Sequence, residues 1–261
     1  MKRFLFIFVY IFFATLCSKA QITFNHLTPY EQLSNYSVIS FYQDERGFIW
    51  IGTRNGLNLY DGKHIKIFNV NIRNKSTLQG NIIHRIMGDQ RGKIIVYTNF
   101  GIDLINIKTE KITPLVGRGV TAACFKKNVL FYAKENKVFS LEQGSTKCLC
   151  ILPSRLSVHS MELDGYNLLL GTKEDGLFMY QIDKKKTIQL INRMYIECIY
   201  ADKSGKYWIG TQRNGFYCYN SRIMIKGPQL GKDNDVRAFC EDNNGNIWIG
   251  TMNGLYQKVS D

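Results

Sequence analysis

A chain of 261 residues with 45% hydrophobic, 13% aromatic and 21% charged side chains has the composition of a folded globular protein and excludes a disordered one. Its length allows one large domain or two small ones, and excludes a multi-domain signalling enzyme. The formal charge of +13 is carried by scattered Lys and Arg, with Lys184-Lys185-Lys186 as the single run, so nucleic acid is not an expected partner.

In chain order, Lys2 and Arg3 precede the apolar stretch Phe4 to Cys17, and Ser18 and Ala20 stand three and one positions before Gln21. This order of basic, apolar and small residues predicts a secretory signal peptide over residues 1–20, and a periplasmic or extracellular mature chain. Fourteen apolar residues are short of the ~20 of a spanning helix, and Leu16 sits where a lipobox before Cys17 wants a small residue. Cleavage would remove three of the 34 basic residues, leaving 31 against 21 acidic ones, and would leave six cysteines. No membrane helix is expected after the leader, so the chain is not expected to carry a signal across a membrane by itself.

The rest of the chain, 21–261, repeats itself. Asp44-x-x-Gly47-x-Ile49-Trp50-Ile51-Gly52-Thr53-x-x-Gly56 returns as Asp202 to Trp208-Ile209-Gly210-Thr211 and Gly215, and again as Asp242 to Trp248-Ile249-Gly250-Thr251 and Gly254. Weaker copies start at Asp89, near Lys126, and at Asp164, the last including Gly171-Thr172 and Gly176. The period is roughly 40 residues.

Each copy reads as hairpins. A β-branched and aromatic stretch such as Val38 to Tyr42 precedes the Asp, and Asp-x-x-Gly supplies turn chemistry. Trp50-Ile51-Gly52-Thr53 forms a second strand, and Asn55-Gly56, Asn214-Gly215, Asn253-Gly254 and Asp175-Gly176 signal tight turns into a third. After Asp61-Gly62 comes a fourth, His64 to Phe68. Four antiparallel strands per repeat predict an all-β fold, a β-propeller of about six blades near 36–70, 82–115, 119–150, 156–190, 194–226 and 234–261. Ile22 to Leu27 matches the fourth-strand type, so it is expected to complete the last blade and remove an exposed edge.

Trp50, Trp208 and Trp248 share one column, filled by Ile95 and Leu169 in weaker copies, and are expected as inter-blade core, with sugar stacking as the lesser alternative. Asp242-Asn243-Asn244-Gly245-Asn246 hints at calcium, but the equivalent turns are variable and no twelfth-position acid follows, so a plain turn is expected. Cys124, Cys148, Cys150, Cys198, Cys218 and Cys240 lack zinc spacing, and Cys198 and Cys218 fall in columns of small buried hydrophobes. His26, His64, His84 and His159 share no metal-ligand spacing, and no nucleophile elbow or phosphate loop is present, so neither cofactor nor metal is expected.

One column points to a binding role. Ile39, His84, Thr121, His159, Glu197 and Arg237 stand five residues before each anchoring position, next to the uniformly apolar Val38, Ile83, Val120, Val158, Ile196 and Val236. On the innermost strands these varied residues would ring the axial funnel and, with Arg85 from the adjacent column, could bind a polar ligand. The alternative is that they line a water-filled channel.

The motif, together with Tyr60-Asp61-Gly62 and Lys75-Ser76-Thr77-Leu78-Gln79-Gly80-Asn81-Ile82, resembles the two-component regulator propeller repeat, as found in the N-terminal periplasmic part of Bacteroides-type hybrid sensors. The resemblance spans about residues 21–261 and implies a non-catalytic ligand-sensing module, tuned in that family to oligosaccharides. It also implies seven blades, whereas six copies are counted, so the ring is either a short stand-alone propeller or a truncated sensor. Membrane, kinase and DNA-binding parts of the family are not expected in these residues; a membrane sensor partner and self-association stay open. A secreted propeller enzyme, a polysaccharide lyase or hydrolase, is the alternative, and a sensor remnant the third.

Overall fold

In the computed structural model of the chain, residues 33–71, 73, 76–153, 157–231 and 234–259 are described. The expected leader and the expected closing strand Ile22 to Leu27 lie outside them. Among the described residues every regular element is a β-strand.

Blade 1 runs Val38–Gln43, Ile49–Thr53, Gly56–Tyr60 and Ile65–Phe68; blade 2 runs Ile83–Gly88, Lys93–Thr98, Gly101–Asn106 and Ile112–Val116. Blade 3 comprises Val120–Lys126, Val129–Lys134, Lys137–Glu142 and Ser145–Ile151, and blade 4 comprises Val158–Asp164, Asn167–Thr172, Leu177–Gln181 and Lys186–Ile191. Ile196–Ala201, Tyr207–Thr211, Phe216–Tyr219 and Met224–Lys226 form blade 5, and Val236–Glu241, Ile247–Thr251 and Gly254–Lys258 form blade 6. Strands pair antiparallel with their chain neighbours, giving five four-stranded sheets and one of three strands among the described residues. The first strand of each blade packs on the first strand of the next, so these strands converge and are the inner ones. The fold is thus a β-propeller of six blades.

Each letter of the repeat has a physical task. The Asp closes its own turn: Asp44 Oδ1 accepts from the amides of Arg46 and Phe48, at 2.9 and 3.1 Å, while Oδ2 accepts from the Trp50 indole at 3.0 Å. The same indole-to-carboxylate bond recurs from Trp208 to Asp202 and from Trp248 to Asp242, at 2.9 and 3.0 Å. Burial pushes the Asp44 and Asp202 carboxyls up, but the bonds they accept outweigh it and hold both below the usual value. The glycine after Trp-Ile leaves room for the next blade. A methyl group on Gly52, Gly171 or Gly210 would lie within 2.9 Å of Ile83, Ile196 or Val236 respectively.

The threonine closes the following loop. Thr53, Thr98, Thr172, Thr211 and Thr251 each donate a hydroxyl hydrogen bond to the carbonyl of the glycine three or four residues on, at 2.7 to 3.1 Å. This shifts the expected Asn-Gly turns by one residue. Thr53 pairs with Gly56 and Thr251 with Gly254, so Arg54-Asn55 and Met252-Asn253 are the loops and the glycines open the third strands. Gly56 and Gly254 do so at φ of 120° and 154°, conformations that side chains rarely adopt.

The core is a series of apolar layers between successive blades. Trp50, Leu57, Leu78, Ile83 and Ile94 make the layer between blades 1 and 2, and Trp208, Phe216, Val236, Phe239 and Ile249 that between blades 5 and 6. Each fully buried Leu or Ile contributes about 1.5–3 kcal/mol, so these interfaces carry the fold. Trp50 and Trp208 are buried as the column predicts, but Trp248 is only partly so. On that side of blade 6 Met252 and Leu255 are exposed, and Phe41 is exposed on blade 1.

Candidate functional site

The first strand of every blade carries an irregularity at one place. Pairing with the second strand jumps between Val38 and Ser40, Ile83 and Arg85, Val158 and Ser160, Ile196 and Cys198, and Val236 and Ala238. In blade 3 the jump falls between Val120 and Ala122. The skipped residues are Ile39, His84, Thr121, His159, Glu197 and Arg237, which is the column singled out above. A β-bulge leaves one residue unpaired and re-aims its side chain. Here six bulges on converging strands do so at one level.

Within this ring the partners differ. His84 lies against the Tyr97 ring at 5.0 Å between centroids, and its ring nitrogens make no hydrogen bond among the described residues. His159 stands edge-on to Tyr195 at 5.4 Å, with the Tyr195 hydroxyl 3.4 Å from Nε2. Arg237 Nη1 donates to Glu197 Oε1 at 3.0 Å, and Nη2 lies 3.8 Å from Asp235 Oδ2. The Thr121 hydroxyl turns back to the Ala133 carbonyl at 3.5 Å. Ile39 is exposed. Burial draws the pKa of His84 down, and burial also lowers that of His159, with Glu197 opposing and Lys173 and His84 reinforcing.

Arg85 stands apart from the ring. Its Nη1 donates to the carbonyls of Ala123 and Met161 at 3.0 and 2.9 Å, and its Nη2 to Glu162 Oε2 at 2.8 Å. Lys126 holds the other Glu162 oxygen at 3.1 Å. Arg85 thus bridges blade 2 to blades 3 and 4. The structure brings His84, His159, Glu197 and Arg237 to one level, and sets Arg85 to fastening inner strands.

Sequence reasoning passed over Tyr97, Tyr195, Asp235, Lys173 and Glu162. Tyr97 carried a signal: it stands opposite Arg85 in the column that holds Gly52, Gly171, Gly210 and Gly250 in other blades. The six cysteines among the described residues are free, and burial pushes the Cys198 and Cys150 thiols up to about 12. No three His, Cys, Asp or Glu side chains among the described residues are grouped to hold a metal ion.

Fold and site together define a β-propeller with a polar mouth built on inner-strand bulges. Residues 32–55, 189–213 and 231–253 match the family described as Two component regulator propeller. A histidine kinase P4 of Formosa agariphila is 39% identical over 69 residues, which cover 25% of this chain and 5% of the kinase. The extracellular domain of a hybrid two component system from B. thetaiotaomicron superposes with a TM-score of 0.68 at 21% identity, over 88% of this chain and 41% of that one. A streptogramin B lyase superposes with a TM-score of 0.69 at 14% identity, over 89% of this chain and 86% of the lyase. At these identities the structural likenesses establish the fold alone. The chain spans under half the length of the sensor domain and a twentieth of the kinase.

Proposed function

We propose that the chain is an exported, non-catalytic recognition module that binds a small polar molecule, of oligosaccharide type, at the mouth of the propeller. The observation that carries this reading is the coincidence of six inner-strand bulges with the varied column Ile39, His84, Thr121, His159, Glu197 and Arg237. An uncommitted imidazole at His84, the His159–Tyr195 pair and the Glu197–Arg237 pair offer donors and acceptors, with Tyr97 and Tyr195 as apolar ring faces. Hydroxyl-rich ligands use that mixture of a few convergent polar groups and aromatic surfaces. Similarity to extracellular parts of two-component systems supports both export, after cleavage of residues 1–20, and a sensing role.

The test is a thermal-shift screen of the mature chain against oligosaccharides, followed by chromatography of any hit. A stabilising oligosaccharide recovered intact, with the shift abolished in the His159→Ala and Glu197→Ala/Arg237→Ala variants, is expected. Turnover of the hit would favour an enzyme, and undiminished binding in the variants would remove the ligand from the mouth.

A further inference from the structure

The junction between blades 2 and 3 differs from its sisters on one strand face. Position 97, a glycine in blades 1, 4, 5 and 6, is Tyr97, whose hydroxyl donates to the Val120 carbonyl of blade 3 at 2.8 Å. Where Gly52, Gly171 and Gly210 sit tight against the next blade, a phenol ring here stands between the two blades. The second strands of blades 1, 4 and 5 approach the next inner strand closely; that of blade 2 does not. Two residues along the same face, the tryptophan column holds only Ile95.

The result is a cavity of about 200 Å³, half open to solvent, beside Ile95, walled by Leu104 and Leu115 of blade 2 and by Phe125, Leu130 and Leu141 of blade 3. Lys93, Asn128 and Gln143 form its polar rim, with Lys93 Nζ 3.4 Å from Asn128 Oδ1. Neighbouring junctions show why it stays unfilled. Blade 1 fills the corresponding place with Trp50, and blade 3 has Phe131 in that column. Blade 4 has the small Leu169, but Tyr207 enters from blade 5, at the position Leu130 occupies in blade 3. Between blades 2 and 3 these two positions hold only Ile95 and Leu130, and the rings of the junction, Tyr97, Phe125, Tyr132 and Phe139, stand at other positions.

We infer that this inter-blade cavity is a binding site for a planar aromatic molecule of one or two rings, an indole-sized ligand whose edge or polar substituent meets the Lys93–Asn128 rim. Three observations select that occupant. The slot corresponds to the one an indole fills from Trp50 in blade 1. Its walls of Leu, Ile and Phe offer apolar surface to the faces of a ring, and its open side leaves room for a polar edge to meet the rim. Asp89 retains the turn of the indole-binding blades, with Oδ1 accepting from the Arg91 and Lys93 amides at 2.8 and 3.0 Å. The site is separate from the propeller mouth, so the inference stands or falls independently of the proposed ligand there.

Indole is the probe. Methyl NMR spectra of the mature chain, titrated with indole to millimolar concentration, are expected to show saturable shifts centred on Ile95, Leu104, Leu115, Leu130 and Leu141. Ile95→Trp should fill the slot, supply an indole N–H to Asp89 and abolish those shifts while raising the melting temperature. Leu130→Tyr, which copies Tyr207, fills it from the opposite blade and should also abolish them; folding of either variant is read from unchanged methyl dispersion elsewhere. Absence of saturable shifts in the unmodified chain, or shifts that persist in a folded filled variant, would overturn the inference.

Discussion

At the scale of single residues, the two glycines Gly210 and Gly250 occupy the same column and meet opposite surroundings. A methyl group on Gly210 would lie 2.6 Å from Cys198 Sγ and 2.8 Å from Val236, whereas on Gly250 its nearest neighbour would be 3.7 Å away. Gly210→Ala therefore forces the blade 5–6 contact apart and is expected to cost about 1–3 kcal/mol. Gly250→Ala should fall within about 0.5 kcal/mol of neutral. Melting temperatures of the two variants decide it, and equal losses would mean the column acts through backbone conformation and not through packing. The mouth histidines give a second residue-level expectation. Burial lowers the pKa of His84 and His159 below the ordinary histidine value of 6.5, so below that pH the unfolded chain binds more protons than the folded one. Stability is fully present above pH 6.5 and declines as pH falls through the folded values. A His84→Gln/His159→Gln variant should lose less melting temperature between pH 7 and pH 5 than the parent; identical losses would place the titration elsewhere.

At the scale of the strand and the blade, what could be read from sequence is what repeats locally. Strand, turn and period announce themselves through Asp44-x-x-Gly47 and Trp50-Ile51-Gly52-Thr53, because each acts within a few residues: the Asp on its own turn, the Thr on its own loop. The polar column at His84 and His159 was visible for the same reason, as variation beside a fixed apolar neighbour. That the column is a bulge was not visible, since a bulge is a relation between two strands and no residue type demands it. Arg85 shows the other limit. Its position beside the ring suggested a ligand contact, but its partners Ala123, Met161 and Glu162 belong to other blades, and only the assembled inner strands bring them within reach. Ile95 was legible as a departure from tryptophan. The resulting cavity was not, because Leu169 departs equally and is compensated by Tyr207.

At the scale of the whole propeller, stability is a sum over blades and the interfaces between neighbours, as in other repeat arrays. Blades 2 to 5 are each covered on both faces by apolar layers shared with the blades before and after them. Blade 6 shares such a layer with blade 5 and leaves Met252 and Leu255 exposed on its other side, where a methyl group on Gly250 would touch only Ala238 of its own blade. Among the described residues its strands Ile247–Thr251 and Gly254–Lys258 are therefore held by one apolar layer where Tyr207–Thr211 and Phe216–Tyr219 of blade 5 are held by two. Local opening draws on the least supported units, so native-state hydrogen exchange should show blade 6 amides exchanging at least tenfold faster than those of blade 5. Isotope exchange of the chain, read strand by strand, measures this directly. Protection in blade 6 equal to that in blade 5 would show that its open face is covered in solution, and mutation of Leu255 to Ser would then lower protection in blade 6 alone.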